Sequence, residues 1–462
     1  IFGTLSDFDR IIEKAHRLGL KIIIDQVYSH SSDQHAWFSE SRENRTNPKA
    51  DWYVWADPKA DGSPPNNWQS VFGGGAWGWD SRRQQYFLHN FLRSQPDLNL
   101  HNRDVQDALL DVGRFWLDRG VDGFRLDALN FAMHDPQLRD NPPAPRDGRA
   151  LTRPFEYQLH IYNQSHPDIP KFLERIRMMT NEYDGIFTVA EVGGPEPLGE
   201  MKAFTANGTR LNSAYNFSFL YADKLSTTMT KSAVSAWNGE EGEGWPSWAF
   251  SNHDAPRAVS RWADGDHTEQ AAKLYAMLLM SLRGNAFLYQ GEELGLPQAQ
   301  LPFEALKDPE AIANWPSTLG RDGARTPLPW EDTAANAGFS NAKPWLPADP
   351  RHSALAINVQ ERDGQSTLHF VRNLIAIRKS TASIRNGECA FIEGVDDLLA
   401  FYRISKDEEA LCVFNLGSKP LTWRPLSEQR FKRIIDVGFD TDDKGLPEML
   451  PALSGYIALR QS

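Results

Sequence analysis

The chain has 462 residues, 40% of them hydrophobic and 24% charged, with 49 basic against 61 acidic side chains and a net charge of −12. That length exceeds what one core usually holds and predicts two or three domains; the acidic balance argues against a nucleic-acid or anionic-membrane partner. Two cysteines, Cys389 and Cys412, encode neither a disulfide framework nor a thiolate metal cluster, which points to a reducing, cytoplasmic compartment. No apolar run is long enough to span a bilayer. The chain opens at Ile1, IFGTLSDFDR, and the expectation is that the natural start, with any targeting signal, lies upstream.

Residues 5–18, LSDFDRIIEKAHRL, put Phe8, Ile11, Ile12, Ala15 and Leu18 on one helical stripe that Gly19 stops. LKIIIDQV (20–27) follows as a short apolar run of buried-strand type. The next stretch, roughly eighty residues rich in Trp, Gly, Pro and Asn, is too long for a plain loop and reads as an inserted subdomain. Val105, Leu109, Val112 and Trp116 mark a helix ending at Gly120, and GVDGFRLDALNF (120–131) is the strand after it. GIFTVAEV (185–192) and SWAFSNHD (247–254) are further buried strands. Ala272, Tyr275, Ala276 and Leu279 mark a helix stopped by Gly284 before NAFLYQGEE. Residues 133–170 and 293–365 are long, Pro-rich connections, and TLHFVRNLIAIRKS (367–380) is a last helix. LLAFYRIS, EALCVFNLG and PALSGYIALR are short strands between turns, expected to form a small β-sandwich.

Repeated helix-then-strand units predict an α/β fold, a parallel sheet with helices outside it. Asp25, Asp127, Glu191, and His253 with Asp254 gather where strands end, as in a (β/α)₈ TIM barrel. A doubly wound open sheet is the alternative, but no Gly-rich phosphate fingerprint follows any strand. The expected domains are a barrel over 1–26 and 95–384, the inserted subdomain over 27–94, and the β-sandwich over 385–462.

Within GVDGFRLDALNF, Arg125 and Asp127 lie two apart and so share one strand face. Such a pair inside a buried strand is either a structural ion pair or a catalytic carboxylate kept ionised by the guanidinium. Asp127, Glu191 and Asp254 each end a predicted strand, and His30 and His253 stand beside such ends. Glycoside hydrolysis needs two carboxyl groups, one ionised and one protonated near neutrality. Arg125 would hold Asp127 as the anion, while Glu191, with no cation near it in sequence, is the candidate for a raised pKa.

DQVYSH (25–30), QPDLN (95–99), GFRLDALNF (123–131), VAEV (189–192), FSNHD (250–254) and GEELG (291–295) occur in the order seen in glycoside hydrolase family 13, the α-amylase superfamily, and the chain resembles its bacterial α-glucosidases over nearly its whole length. The resemblance implies a retaining, exo-acting α-glucosidase that forms a covalent glucosyl intermediate and also passes glucose to alcohol or sugar acceptors. By motif, Asp127 would be the nucleophile, Glu191 the general acid and base, and Asp254 the third carboxylate, gripping sugar hydroxyls. His30, Arg125 and His253 would line the subsite for the terminal glucose, and Arg321 in GRDGARTPLPW (320–330) would reach its outer hydroxyl. Phe72 in VFGG and Phe91 in LHNF match aromatic positions flanking the acceptor sugar. By the same resemblance, Ala128, directly after the expected nucleophile, would favour α-1,4 over α-1,6 bonds and hence maltose over isomaltose.

Two departures from the family pattern bear on these expectations. Ser29 stands where the second motif commonly has asparagine, which weakens transfer of the amylase calcium site. The two barrel strands that open the family's fold, with a metal-binding loop, have no counterpart here, so no metal ligand is assigned; no cofactor is required for the chemistry, a structural calcium or magnesium stays open, and the barrel is expected to continue upstream of Ile1.

Other residues read as structural: Asp25 as a support for His30, Asp97 as a loop-ordering residue, GEELG as a barrel-end support. His35, His101 and His134 show no metal-site spacing. A transferase, isomerase or sucrose-cleaving enzyme using the same intermediate is the alternative within the family. A non-catalytic, transporter-associated heavy chain is disfavoured because all three carboxylates persist. The expected partner is thus a small α-glucoside, with no nucleic acid and no membrane; the sequence leaves the oligomeric state open.

Overall fold

The computed structural model describes residues 3–145, 153–237, 243–263, 268–316, 320–393, 398–424, 431–439 and 445–461. The chain divides into two compact units, one of residues 1–216 with 241–245, the other of residues 217–240 with 246–462.

In the first unit, α1 (Leu5–Arg17) starts with a capping box: the Thr4 hydroxyl accepts from the Asp7 N–H, and the Asp7 carboxylate accepts from the Thr4 N–H. Its buried stripe is narrower than expected, since Ile12 and Ala15 are buried but Ile11 and Leu18 are exposed. β1 (Ile23–Val27) follows. The inserted region carries α2 (Ala36–Ser41) and an antiparallel sheet of β2 (Trp55–Ala56), β3 (Trp77–Asp80) and β4 (Gln85–Leu88) around Val54, Trp68, Trp77 and Leu88.

The chain then returns through α3 (Arg103–Leu117) to β5 (Gly123–Asp127). α4 (Ile169–Thr180), β6 (Phe187–Val192), α5 (Pro197–Thr205) and β7 (Ser213–Asn216) complete this unit. β1 pairs with β5, β5 with β6 and β6 with β7, all parallel. Gly123 lets β5 approach β6, because a Cβ there would stand 1.9 Å from the Phe187 carbonyl oxygen. The strand expected over 120–131 ends early: Ala128, at φ 42°, turns the chain into a single 3₁₀ turn over Leu129–Phe131. β7 is new relative to the sequence reading, and four residues are too few for a periodic signal to stand out.

The second unit contains α6 (Thr227–Ser235), β8 (Trp245–Ala249), α7 (Ala258–Trp262), α8 (Thr268–Ser281) and β9 (Asn285–Phe287), with β8 and β9 parallel. The ladder stops at Ala249, so His253 and Asp254 lie in the loop beyond the strand rather than at its end. α9 (Pro309–Ala313), α10 (Ile357–Gln360), α11 (Thr367–Ser380) and α12 (Ala382–Asn386) lead to the C-terminal strands. These are β10 (Glu388–Ile392), β11 (Leu398–Ile404), β12 (Glu409–Asn415), β13 (Leu421–Thr422), β14 (Phe431–Val437), β15 (Met449–Leu450) and β16 (Ser454–Arg460). Five form an antiparallel sheet in the order β10-β11-β12-β16-β14, and β13 pairs with β15. Leu411, Val413, Tyr456 and Ala458 are buried there, and the Trp423 indole N–H donates to the Tyr456 hydroxyl at 3.0 Å. The fold is α/β, with parallel strands consistent with the expected barrel and an antiparallel β domain at the C-terminus.

Candidate active site

Strand register assembles the first group of polar residues. Asp25 stands opposite Arg125 across β1 and β5, Glu191 opposite Tyr215 across β6 and β7, and Asp127 ends β5. Asp127, Glu191 and Tyr215 belong to the C-terminal ends of parallel strands, where side chains can meet a ligand, while Asp25 and Arg125 lie at mid-strand. The Arg125 Nη1 donates to both Asp25 oxygens, at 2.9 and 3.0 Å, and to Asp127 Oδ1. Nη2 donates to Glu191 Oε2 and, at 3.1 Å, to the Tyr215 hydroxyl. Burial works against the guanidinium's charge, but Glu191, Tyr215, Asp127 and Asp25 together offset it and raise its pKa.

Two expectations are corrected here. Glu191, taken as free of cations because none is near in sequence, touches the same guanidinium as Asp127. Sequence distance hid a neighbour that the β5–β6 pairing supplies. Asp25, taken as a support for His30, accepts both of its 2.9–3.0 Å bonds from Arg125.

His30 follows β1 and is held at both ring nitrogens. Gln95 Nε2 donates to its Nε2 at 3.0 Å, which leaves the proton on Nδ1, 2.9 Å from Ser29 Oγ. Burial pulls its pKa down to about 4, although the Asp127 charge acts the other way, so the ring is neutral at pH 7. Phe91 packs on His30 with ring centroids 4.9 Å apart, Phe72 lies 6.1 Å from Phe91, and Phe131 adds an edge-on contact at 5.0 Å. Phe155, 6.3 Å from Phe131, extends the aromatic arc and stacks flat on His160 at 3.6 Å. Phe72 and Phe91 thus come together with His30 as one wall.

A buried polar network stands behind that wall. The Asn90 backbone N–H and side-chain amide both donate to Asp97, Asn163 Nδ2 donates to Asn90 Oδ1 at 2.7 Å, and Asn141 Nδ2 donates to Asn163 Oδ1 at 2.8 Å. His160 Nε2 donates to the Phe155 carbonyl at 2.7 Å. Asn90 and Asn163 are fully buried, and burial lifts the Asp97 carboxyl to about 7 despite the Asn90 bonds. Asp97 is the loop-ordering residue the sequence suggests.

In the second unit, Asp254 gathers its own cations. Arg325 Nη2 donates to Asp254 Oδ1 at 2.6 Å and Arg325 Nε to the His253 carbonyl at 2.6 Å. Arg321 Nη1 lies 3.4 Å from the same carboxylate, and its other nitrogens donate to Asp308 Oδ1 at 2.8 and 3.2 Å. His253 Nε2 is 3.2 Å from Asp254 Oδ2. His253, Asp254 and Arg321 therefore form one cluster. Glu292 of GEELG accepts from Ser251 Oγ at 2.7 Å and from the Tyr289 N–H at 2.8 Å, tying the FSNHD segment down from below.

Sequence reasoning missed Tyr215, Gln95, Arg325 and Asp308. Gln95 and Arg325 sit inside stretches already singled out, Arg325 four residues after Arg321. Tyr215 and Asp308 carried no local signal. Among the described residues, no group of three or more His, Cys, Asp or Glu side chains could hold a metal ion, and no helix is long and apolar enough to cross a membrane.

A family model described as "Alpha amylase, catalytic domain" matches residues 1–387. A probable alpha-glucosidase of Rhizobium meliloti (strain 1021) is 49% identical over 469 aligned residues, covering 99% of this chain and 84% of the relative. An oligo-1,6-glucosidase of Parageobacillus thermoglucosidasius is 33% identical, covering 96% of this chain and 83% of the relative. Among solved structures, the alpha-glucosyl transfer enzyme XgtA superposes with a TM-score of 0.93 at 47% identity, covering 100% of this chain and 86% of that one.

Proposed function

The chain belongs to the α-amylase catalytic-domain family, glycoside hydrolase family 13, and on that premise we propose that it is a retaining, exo-acting α-glucosidase. It is a glycoside hydrolase of the α-glucosidase and oligo-1,6-glucosidase kind. The observation that carries the proposed mechanism is that Asp127 and Glu191 sit on the two terminal nitrogens of one guanidinium. Two carboxyl groups held by one guanidinium suit the spacing of retention, about 5–5.5 Å, better than the about 6.5–9.5 Å that inversion needs to fit its water.

Asp127 then attacks the anomeric carbon while Glu191 gives its proton to the departing glycosidic oxygen. The resulting glucosyl ester on Asp127 is cleaved when Glu191 takes a proton from an incoming water, restoring both groups and the α-configuration. Asp254, with Arg321 and His253, takes the part of the sugar-gripping cluster, and neutral His30 offers a ring to the terminal glucose. Ala128 supports a preference for α-1,4 bonds and hence for maltose-like substrates.

A second reading, glucosyl transfer to an alcohol or sugar, is favoured by the arc of Phe72, Phe91, Phe131 and Phe155. Aromatic faces hold an acceptor where water would otherwise intercept the ester. A proton NMR time course on maltose tests the main reading. α-Glucose appearing first and mutarotating later is expected; β-glucose appearing first overturns retention. Isomaltose run alongside reports the linkage preference, and an added alcohol reports the share of transfer.

A further inference from the structure

Ser165 stands where the segments that leave the two proposed catalytic strands meet. Its backbone N–H donates to the carbonyl of Asn130, three residues beyond Asp127, at 2.7 Å. Its hydroxyl donates to Glu200 Oε1 at 2.5 Å. Gly194, three residues beyond Glu191, is pressed against that bond: a Cβ there would stand 2.0 Å from Glu200 Oε1 and 2.3 Å from Ser165 Oγ. One residue of the long 133–170 connection therefore touches the exit of β5 with its backbone and the exit of β6 with its side chain.

Three features set this contact apart from ordinary loop packing. Ser165 adopts φ 57°, a left-handed conformation that a non-glycine residue holds only where surroundings over-determine it, commonly at functional sites. Asn130 is buried, and Glu200 Oε2 is buried without a hydrogen-bond partner. Gly194 lies directly against the Ser165–Glu200 pair, so a Cβ there would have to push those two side chains aside.

We propose that Ser165 is a positioning residue that, with Glu200, fixes where Glu191 stands relative to Asp127. This rests on the reading of Asp127 as nucleophile and Glu191 as proton donor. The two jobs differ in tolerance: attack by Asp127 needs only its own strand, whereas protonating a leaving oxygen needs Glu191 aligned across the bond. Loosening the Gly194 segment therefore slows ester formation from substrates whose leaving group must be protonated and spares that step for those that need no acid; the later water attack, which uses Glu191 as base, is common to both.

The test compares maltose with α-glucosyl fluoride, whose fluoride departs without a proton, in Ser165→Ala, Glu200→Leu and Glu200→Gln. Ser165→Ala removes the hydroxyl and keeps the N–H bond to Asn130; Glu200→Gln keeps an acceptor, and Glu200→Leu does not. Misplacement of a reacting group by an ångström costs about 100-fold. At least about tenfold loss of kcat/KM on maltose is expected for Ser165→Ala and Glu200→Leu, with kcat/KM on the fluoride, which reports ester formation alone, within about threefold, and Glu200→Gln near the parent on both substrates. Equal loss on both substrates, or no loss on maltose, overturns the proposal. If Ser165→Ala fails to fold by circular dichroism, the Glu200 pair decides the matter by the same criterion. Glu191→Gln serves as the reference: it should show the same selectivity, more strongly. If its loss is unselective, the proton-donor assignment itself is wrong and the Ser165 proposal falls with it, whereas a selective Glu191→Gln beside an unselective Ser165→Ala overturns only the latter.

Discussion

Arg125 and Asp25 face each other across β1 and β5, one hundred residues apart in sequence, and the Arg125 Nη1 donates to both Asp25 oxygens at 2.9 and 3.0 Å. The same guanidinium reaches Asp127 and Glu191. Asp25 neutralises part of the cation from the exposed side and fixes its plane, so that the two proposed catalytic carboxylates hang from a rigid fork.

Replacing Asp127 with alanine removes the proposed nucleophile and leaves Arg125 two carboxylates. Turnover of maltose should fall by at least about 10⁴-fold, in the range of other nucleophile deletions. Far-UV circular dichroism should be unchanged. Retained activity in a folded variant would remove Asp127 from the mechanism.

Arg125→Ala is a harsher change, because it strips Asp127 and the buried Glu191 of their shared cation. Breaking a buried ion pair from one side costs about 3–5 kcal/mol. Urea unfolding at pH 7 should show a loss of that order. Arg125→Lys, unable to fork, should recover stability better than it recovers kcat.

Asp97 makes stability depend on pH. An unfolded aspartate releases its proton near pH 3.9, whereas burial keeps the native carboxyl protonated up to about 7. Between those values the native state binds more protons than the unfolded one, so stability falls as pH rises and levels off above the native pKa. Glu292, pushed up to about 7 by burial, acts in the same direction. Asp97→Asn should lower stability overall, since its amide meets the Asn90 donors, while flattening part of the slope; Glu292 retains the rest. A slope unchanged in thermal unfolding scans from pH 4 to 8 would contradict this.

Asn163 is the hub through which Asn90 and Asn141 are satisfied. Asn163→Ala should cost about 1–3 kcal/mol by leaving buried partners unpaired. The aromatic wall at Phe91, next to Asn90, should loosen with it, seen as a weaker KM effect of added acceptors in transfer assays.

His30 should stay neutral across the working range. With its pKa lowered to about 4 by burial, its imidazole nitrogens should show no titration in NMR spectra between pH 5.5 and 8. A titration near 6.5 would mean that the ring is solvated and not clamped by Gln95 and Ser29.

Long periodic elements were legible in the sequence. α1, α3, α8 and α11 lie within a few residues of their predicted ranges because apolar spacing marks them and, for the first three, Gly19, Gly120 and Gly284 mark the stop. Pairing was harder. β7 has four residues and no turn signal, yet it brings Tyr215 to Arg125. α4 escaped notice although Ile169, Phe172, Leu173 and Ile176 carry helical spacing, because it follows a long Pro-rich connection.

Motif order alone identified the three carboxylates, their two histidines and the resemblance that names their chemistry, since strand-end residues carry a signal in one dimension. It gave Arg125 one partner, Asp127, because side-chain alternation makes that pair visible two residues apart. The remaining partners, Asp25, Glu191 and Tyr215, depend on which strands lie side by side and in what register. That is set by hydrogen bonds between strands whose paired residues lie 100 apart for β1 and β5, 64 for β5 and β6, and 24 for β6 and β7, and no local pattern encodes it; only the folded sheet decided that one guanidinium holds both carboxylates.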